Sequence, residues 1–172
     1  MKSHRTPLAL VLATSCAASN GVRVPDALKV PPGQTLALEA HAIGVQVYGC
    51  EPSPADPARF EWRLKGPKAD LYDNVGKSIG KHYEGPTWES IDGSKVVGEV
   101  RVKAPGPDAT AIPWLLLAAK STEGTGVLAR TASIQRLNTV AGLAPETGCT
   151  PDQSGKEIRI GYQATYHFYR ER

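Results

Sequence analysis

The chain has 172 residues, a formal net charge of +3, 41% hydrophobic and 22% charged residues. That composition is globular, and so small a charge excludes the strong basic footprint that bulk nucleic-acid binding needs. The length suits one ordinary domain that can bury a core without a structural metal.

Residues 1–18 read as an export signal, with Lys2 and Arg5 ahead of the short apolar run 8–12 and then the small residues Ser15, Ala17 and Ala18. The run is too short to span a bilayer, and no other stretch is apolar and long enough to be a membrane helix. Cleavage after Ala17 or Ala18 gives a soluble secreted or periplasmic protein. Cleavage before Cys16 would give a lipid-anchored form, a minor alternative because Ala13 stands where that signal carries a larger aliphatic residue. Losing residues 1–18 removes Lys2 and Arg5 and no acid, so the charge falls from +3 to +1.

Residues 19–32 are expected to form an N-terminal arm on the surface of a sheet, and residues 33–172 a single β-sandwich domain. Strands are expected at 35–42 and 44–50, followed by FEWRL, where Phe60, Trp62 and Leu64 alternate with Glu61 and Arg63. Val96, Gly98, Val100 and Val102 alternate in the same way. IPWLLLAA is apolar on both faces, and Pro113 and its length favour a fully buried strand over a helix. A strand at 126–137 precedes the clearest one, where Ile158, Ile160, Tyr162, Ala164, Tyr166 and Phe168 share a face. Pro and Gly clusters punctuate these segments, so the fold class is all-β: an antiparallel β-sandwich or a closed barrel with long loops.

Without Cys16 the body holds Cys50 and Cys149, which in an exported protein are expected to pair as one disulfide; two buried free thiols are the alternative. Neither belongs to a C-x-x-C pair, which leaves a thioredoxin-type or zinc-ribbon reading without support.

The segment 80–100 gathers His82, Tyr83, Trp88, Glu89 and Asp92 around glycine-marked turns. Tyr83 and Trp88 would offer flat apolar faces to a small molecule or glycan, with His82, Glu89 and Asp92 fixing its orientation. The structural alternative makes Asp92 a turn residue and Trp88 a cap at the end of the sandwich. A metal reading recruits His82 with Glu84, Glu89 or Asp92, and with His41 or His167 only if the fold brings them near. A hydrolase would use Glu89 and Asp92 as acid and base, with Ser94 as a conceivable nucleophile whose structural account is that of a turn residue. No G-x-S-x-G, H-E-x-x-H, phosphate-loop or haem-attachment motif is present, so no cofactor is named. A second polar cluster, Gln135 to Thr139, adds Gln135 and Arg136 to the candidate ligand-binding residues; Arg136 would pair with Asp73, Glu89 or Asp92.

Several strings in order, GVQVYGC at 44–50, FEW at 60–62, ADLYD at 69–73, GKHYEGPTWE at 80–89, DGS at 92–94, IPWLLL at 112–117, IQRLNT at 134–139 and YQATYHFY at 162–169, resemble the domain of unknown function 3455 family. The resemblance implies an exported single-domain protein of bacteria or fungi and implies no reaction. From the residues, the leading expectation is a binding or structural module that uses the 82–92 loop, with a metal-dependent or carboxylate-based hydrolase on the same loop as the alternative. Oligomeric state has no signature in the sequence.

Overall fold

A computed structural model describes residues 23–172. Residues 1–18, expected from the sequence to be an export signal and carrying His4 and Cys16, and the first residues of the expected arm lie outside the described residues. Eight strands follow in chain order: β1 (Gln34–Pro52), β2 (Phe60–Tyr72), β3 (Ser78–Tyr83), β4 (Thr87–Ser90), β5 (Lys95–Ala104), β6 (Trp114–Glu123), β7 (Thr131–Ala141) and β8 (Glu157–Glu171). Each pairs antiparallel with its successor, and β8 returns to β1, so the sheet closes into a barrel. Of the two expected architectures the barrel is the one that forms.

The reason lies in β1. It is 19 residues long and hydrogen-bonds along most of its length to both β2 and β8, which joins the two ends of the meander and leaves no free sheet edge. Bulges between Leu36 and Leu38, between Val47 and Tyr48, and between Val100 and Val102 coil the long strands around the axis. The two strands expected at 35–42 and 44–50 are therefore one. Gly44 is not a break: it lies where β1 crosses β2 so closely that a Cβ would strike the Lys68 carbonyl and Ala69. Likewise the strand expected from 126 begins at Thr131, because the preceding residues turn on themselves through Ala129 N–H to Gly126 O and Thr131 N–H to Leu128 O.

Alternation along each strand sends one set of side chains inward. Ala40 and Ala42 of β1, Ala69 of β2 and Ala164 of β8 leave room that Trp88, Tyr166 and Phe168 fill. The Trp88 ring meets Tyr166 and Phe168 edge to face at 5.2 and 5.9 Å, a favoured aromatic arrangement. Outside the wall, a second cluster of Leu28, Trp114 and Leu137 packs with Val24, Val102 and Leu116, so the described part of the N-terminal arm covers β5 to β7. IPWLLLAA is apolar on both faces for this reason: Leu115 and Leu117 point into the barrel while Trp114 and Leu116 lie under the arm. Cys50 at the end of β1 is bonded to Cys149 in the β7–β8 loop, with Cα atoms 5.4 Å apart.

Candidate functional site

The hairpin turns fall into two sets, one at each end of the barrel. The β1–β2, β3–β4, β5–β6 and β7–β8 connections lie at one end, and the β2–β3, β4–β5 and β6–β7 connections at the other. The 80–100 segment crosses the wall three times, so neighbours in sequence separate in space. His82 faces Trp88 across β3 and β4 near the first end, whereas Asp92 occupies the β4–β5 turn at the opposite end.

Strand alternation then divides what remains. His82 and Trp88 point inward and stack at 4.3 Å with an interplanar angle of 6°. Tyr83 and Glu89 take the outer face, where the Tyr83 hydroxyl donates to Glu89 Oε2 at 2.9 Å and Lys95 Nζ lies 3.7 Å from the same oxygen. Asp92 accepts from Ser94 N–H and Oγ through Oδ1 and from Val127 N–H through Oδ2, while fully buried Ser94 receives Leu128 N–H on its hydroxyl. Ser94 is thus a turn residue. Leu128, 1% exposed, plugs this end of the core.

At the first end the barrel opens into a cavity of about 500 Å³. Its rim carries the exposed apolar side chains Leu64, Val100 and Leu143 with the charged Lys65, Glu84 and Lys103. Deeper, the lining is Gln46, Tyr48, His82, Trp88, Leu115, Leu117, Arg136 and Tyr166. The volume lies in the range of small-molecule sites, and eight strands enclose an interior of the size that holds one small ligand.

Arg136 joins His82 and Trp88 here, which unites part of the second polar cluster with part of the first. It does not pair with Asp73, Glu89 or Asp92 as expected from the sequence. Its Nε and Nη2 both donate to the Pro113 carbonyl, at 3.1 and 2.8 Å, and no carboxylate among the described residues comes within ion-pair distance of it. Inward projection from β7 explains the difference, since Asp92 is at the far end and Glu89 outside. Gln135, one residue earlier, takes the outer face: its Nε2 donates to Leu28 O at 2.6 Å and its Oε1 accepts from Tyr169 O–H at 2.9 Å, so it ties the arm to the wall.

His82 is 3% exposed, and burial pushes its pKa down from 6.5 to about 3; the nearby Arg136 charge acts the same way, against the bond to the Thr87 carbonyl. The ring is neutral near pH 7 with Nδ1–H donating to Thr87 O at 2.8 Å, which makes Nε2 an acceptor. Burial also raises the Tyr162 and Tyr166 hydroxyls well above their usual range. These two hydroxyls, with Gln46 Nε2 and Trp88 Nε1, are buried without a hydrogen-bond partner. Among the described residues no group of three or more His, Cys, Asp or Glu side chains is placed to hold a metal ion, and His82 has one ring nitrogen already committed. His41 and His167 flank Glu39 on the outer face of β1 and β8, at 3.6 and 2.9 Å.

Sequence reasoning missed Gln46, Tyr48 and Tyr166 as lining residues. Gln46 carried a usable signal, being a polar residue in phase with the buried Ala40 and Ala42.

The fold and cavity define a class: an up-and-down eight-stranded antiparallel barrel, plugged at one end and open through an apolar-rimmed cavity at the other. Within it, the family model described as Protein of unknown function (DUF3455) matches residues 31–170, and the chain belongs to that family. Comparisons with curated proteins and with solved structures return no match. No helix among the described residues is long and apolar enough to cross a membrane.

Proposed function

We propose that the protein is a binding module whose site is the barrel lumen, and that its ligand is a small, largely apolar molecule rather than a glycan laid on the outer surface of the 82–92 loop. The observation that carries this reading is the cavity: about 500 Å³, floored by aromatic rings and rimmed by exposed Leu64, Val100 and Leu143. A barrel that only needed stability would fill that space, since an unfilled interior forfeits packing energy. His82, Trp88 and Arg136 belong to the site; Tyr83, Glu89, Asp92 and Gln135 act in the wall, the turn and the arm. An exported location suits the reading, and the Cys50–Cys149 disulfide is compatible with an oxidising compartment.

The hydrolase alternative is the weaker reading. It needs two carboxylates at one place, whereas Glu89 and Asp92 stand on different surfaces and neither lines the cavity.

Titrating the purified protein with a neutral environment-sensitive dye such as Nile red tests the lumen. The dye should gain fluorescence on the wild type, and a Val100→Trp substitution at the rim should weaken its binding about tenfold, the effect of losing the contacts of a few buried methylenes. A Glu89→Ala variant should bind as the wild type does. Binding that responds to Glu89 and ignores Val100 would move the site to the outer surface of the loop, and no binding at all would remove the module reading.

A further inference from the structure

The polar atoms left over in the lumen share one property. Gln46 Nε2 and Trp88 Nε1 are donors only, and the Tyr166 hydroxyl can donate; all three are buried and unpartnered, and all three belong to side chains that line the cavity. Buried polar groups are as a rule hydrogen-bonded, so an unpaired set facing one space calls for a ligand that supplies the missing partners. Arg136 adds to the same balance. Its guanidinium has five N–H donors, of which the Pro113 carbonyl takes two, one from Nε and one from Nη2, leaving the Nη1 side uncommitted. Of the two lysines of the lining, Lys65 is already paired with Glu51 on the outer wall, and Lys103 is exposed at the rim, which also carries Glu84. The interior therefore presents one positive charge, several donors, the acceptor His82 Nε2 and an otherwise apolar surface.

Resting on the lumen-binding reading above, we propose that the ligand is a monoanionic carboxylate on an apolar body of one or two rings, its carboxylate accepting from Arg136 and the Tyr166 hydroxyl and its rings packed against Leu115, Leu117 and Trp88. A carboxylate matches the planar guanidinium fork and meets a surplus of donors with acceptors. A dianionic phosphate does not match the single inner charge, because His82 is neutral and offers no second one. A neutral hydrocarbon would leave the donors unpaired, which the interior penalises.

The test compares naphthoate, its neutral methyl ester and naphthyl phosphate by calorimetry on the full chain, for the wild type, Arg136→Gln, Arg136→Lys and Tyr166→Phe. Naphthoate should bind at least about tenfold tighter than the ester, the effect of one charge-assisted hydrogen-bonded pair, and tighter than the phosphate. Arg136→Gln should abolish the preference for the acid over the ester, and Arg136→Lys should keep part of it. Thermal melts accompany each variant. If Arg136→Gln fails to fold, Tyr166→Phe decides, since it keeps the ring and deletes the donor and should narrow the preference for naphthoate over the ester. Equal binding of acid and ester by the wild type, a preference that survives Arg136→Gln, an unchanged preference in Tyr166→Phe where that variant decides, or a clear preference for the phosphate would overturn the assignment. If the ester binds and the acid gains nothing, the lumen reading stands and the carboxylate falls; if no probe binds, both fall.

Discussion

His82 shows how much a single buried side chain can impose on the pH response of the whole fold. In the folded protein it stays neutral down to about pH 3, whereas in the unfolded chain it takes up a proton near 6.5. The unfolded state therefore binds more protons below 6.5, so the stability His82 contributes is complete above that value and is lost as pH falls through the window down to about 3. The slope approaches ~1.4 kcal/mol per pH unit in the middle of that window. A His82→Phe variant keeps a ring against Trp88 and removes the titration, so urea unfolding of the two proteins should show the wild type losing stability from pH 6.5 to 4 and the variant changing far less. Parallel curves would contradict the assignment. The sequence showed that His82, Tyr83, Trp88 and Glu89 were close in the chain but not which of them would face one another. Residues 82 and 88 share parity with the inner face, 83 and 89 with the outer, and a run of mixed polar and aromatic residues carries too weak an alternation to announce the difference.

Turns decide where each strand ends, and the β4–β5 turn does more than reverse the chain. The Asp92 carboxylate is held down to about 2 by the Ser94 hydroxyl first and then by the Val127 and Ser94 amides, all donating to it. Its contribution is therefore complete above the usual 3.8 and lost as pH falls through about 2, a lower window than that of His82. The same carboxylate ties this turn to residues 124–130, which plug the barrel with Leu128. Gly126 lies so close to it that an added Cβ would strike the carboxylate itself. Asp92→Ala should cost about 1–3 kcal/mol, the usual penalty for stranding donors, and should speed amide exchange at Val127 and Leu128. Gly126→Ala should produce the same local opening by displacing the carboxylate, and normal protection in both variants would show the plug to be held otherwise. Elements with a strong periodic signal were legible: β8 alternates cleanly from Tyr162 to Phe168 because one of its faces lines the core. Local pattern divides β1 at residue 43 and starts β7 too early at Gly126, since the close crossing at Gly44 and the plug turn at Gly126 are tertiary facts that it does not contain.

At the level of the whole molecule, a sandwich and a barrel draw on the same alternating strands, and what separates them is whether first and last strands meet. That pairing joins Gln34 to Glu171 and Gly49 to Glu157 across most of the chain, so no window of sequence records it. The Cys50–Cys149 bond acts on the same problem of remote ends, with a sequence separation of 99. It fixes to the end of β1 the loop that carries Leu143 to the rim, alongside backbone bonds from Cys50 N–H to Lys156 O and from Gly155 N–H to Cys50 O and a Trp62 Nε1–H bond to Thr147 O. Because these hydrogen bonds and the β1–β8 ladder persist without the disulfide, a Cys50→Ala/Cys149→Ala variant should still close its barrel. Freed from a loop constraint of this length, its unfolded state gains entropy, and stability should fall by roughly 4 to 5 kcal/mol in the chain-entropy model. Equilibrium unfolding in guanidinium measures that loss, while far-ultraviolet circular dichroism of the native variant should match the wild type. Hydrogen exchange should rise in residues 142–156 and stay low along β8, and dye binding in the lumen should weaken as the Leu143 side of the rim loosens. Collapse of the sheet signal in the variant would mean instead that the cross-link, and not the β1–β8 ladder, is what closes the barrel.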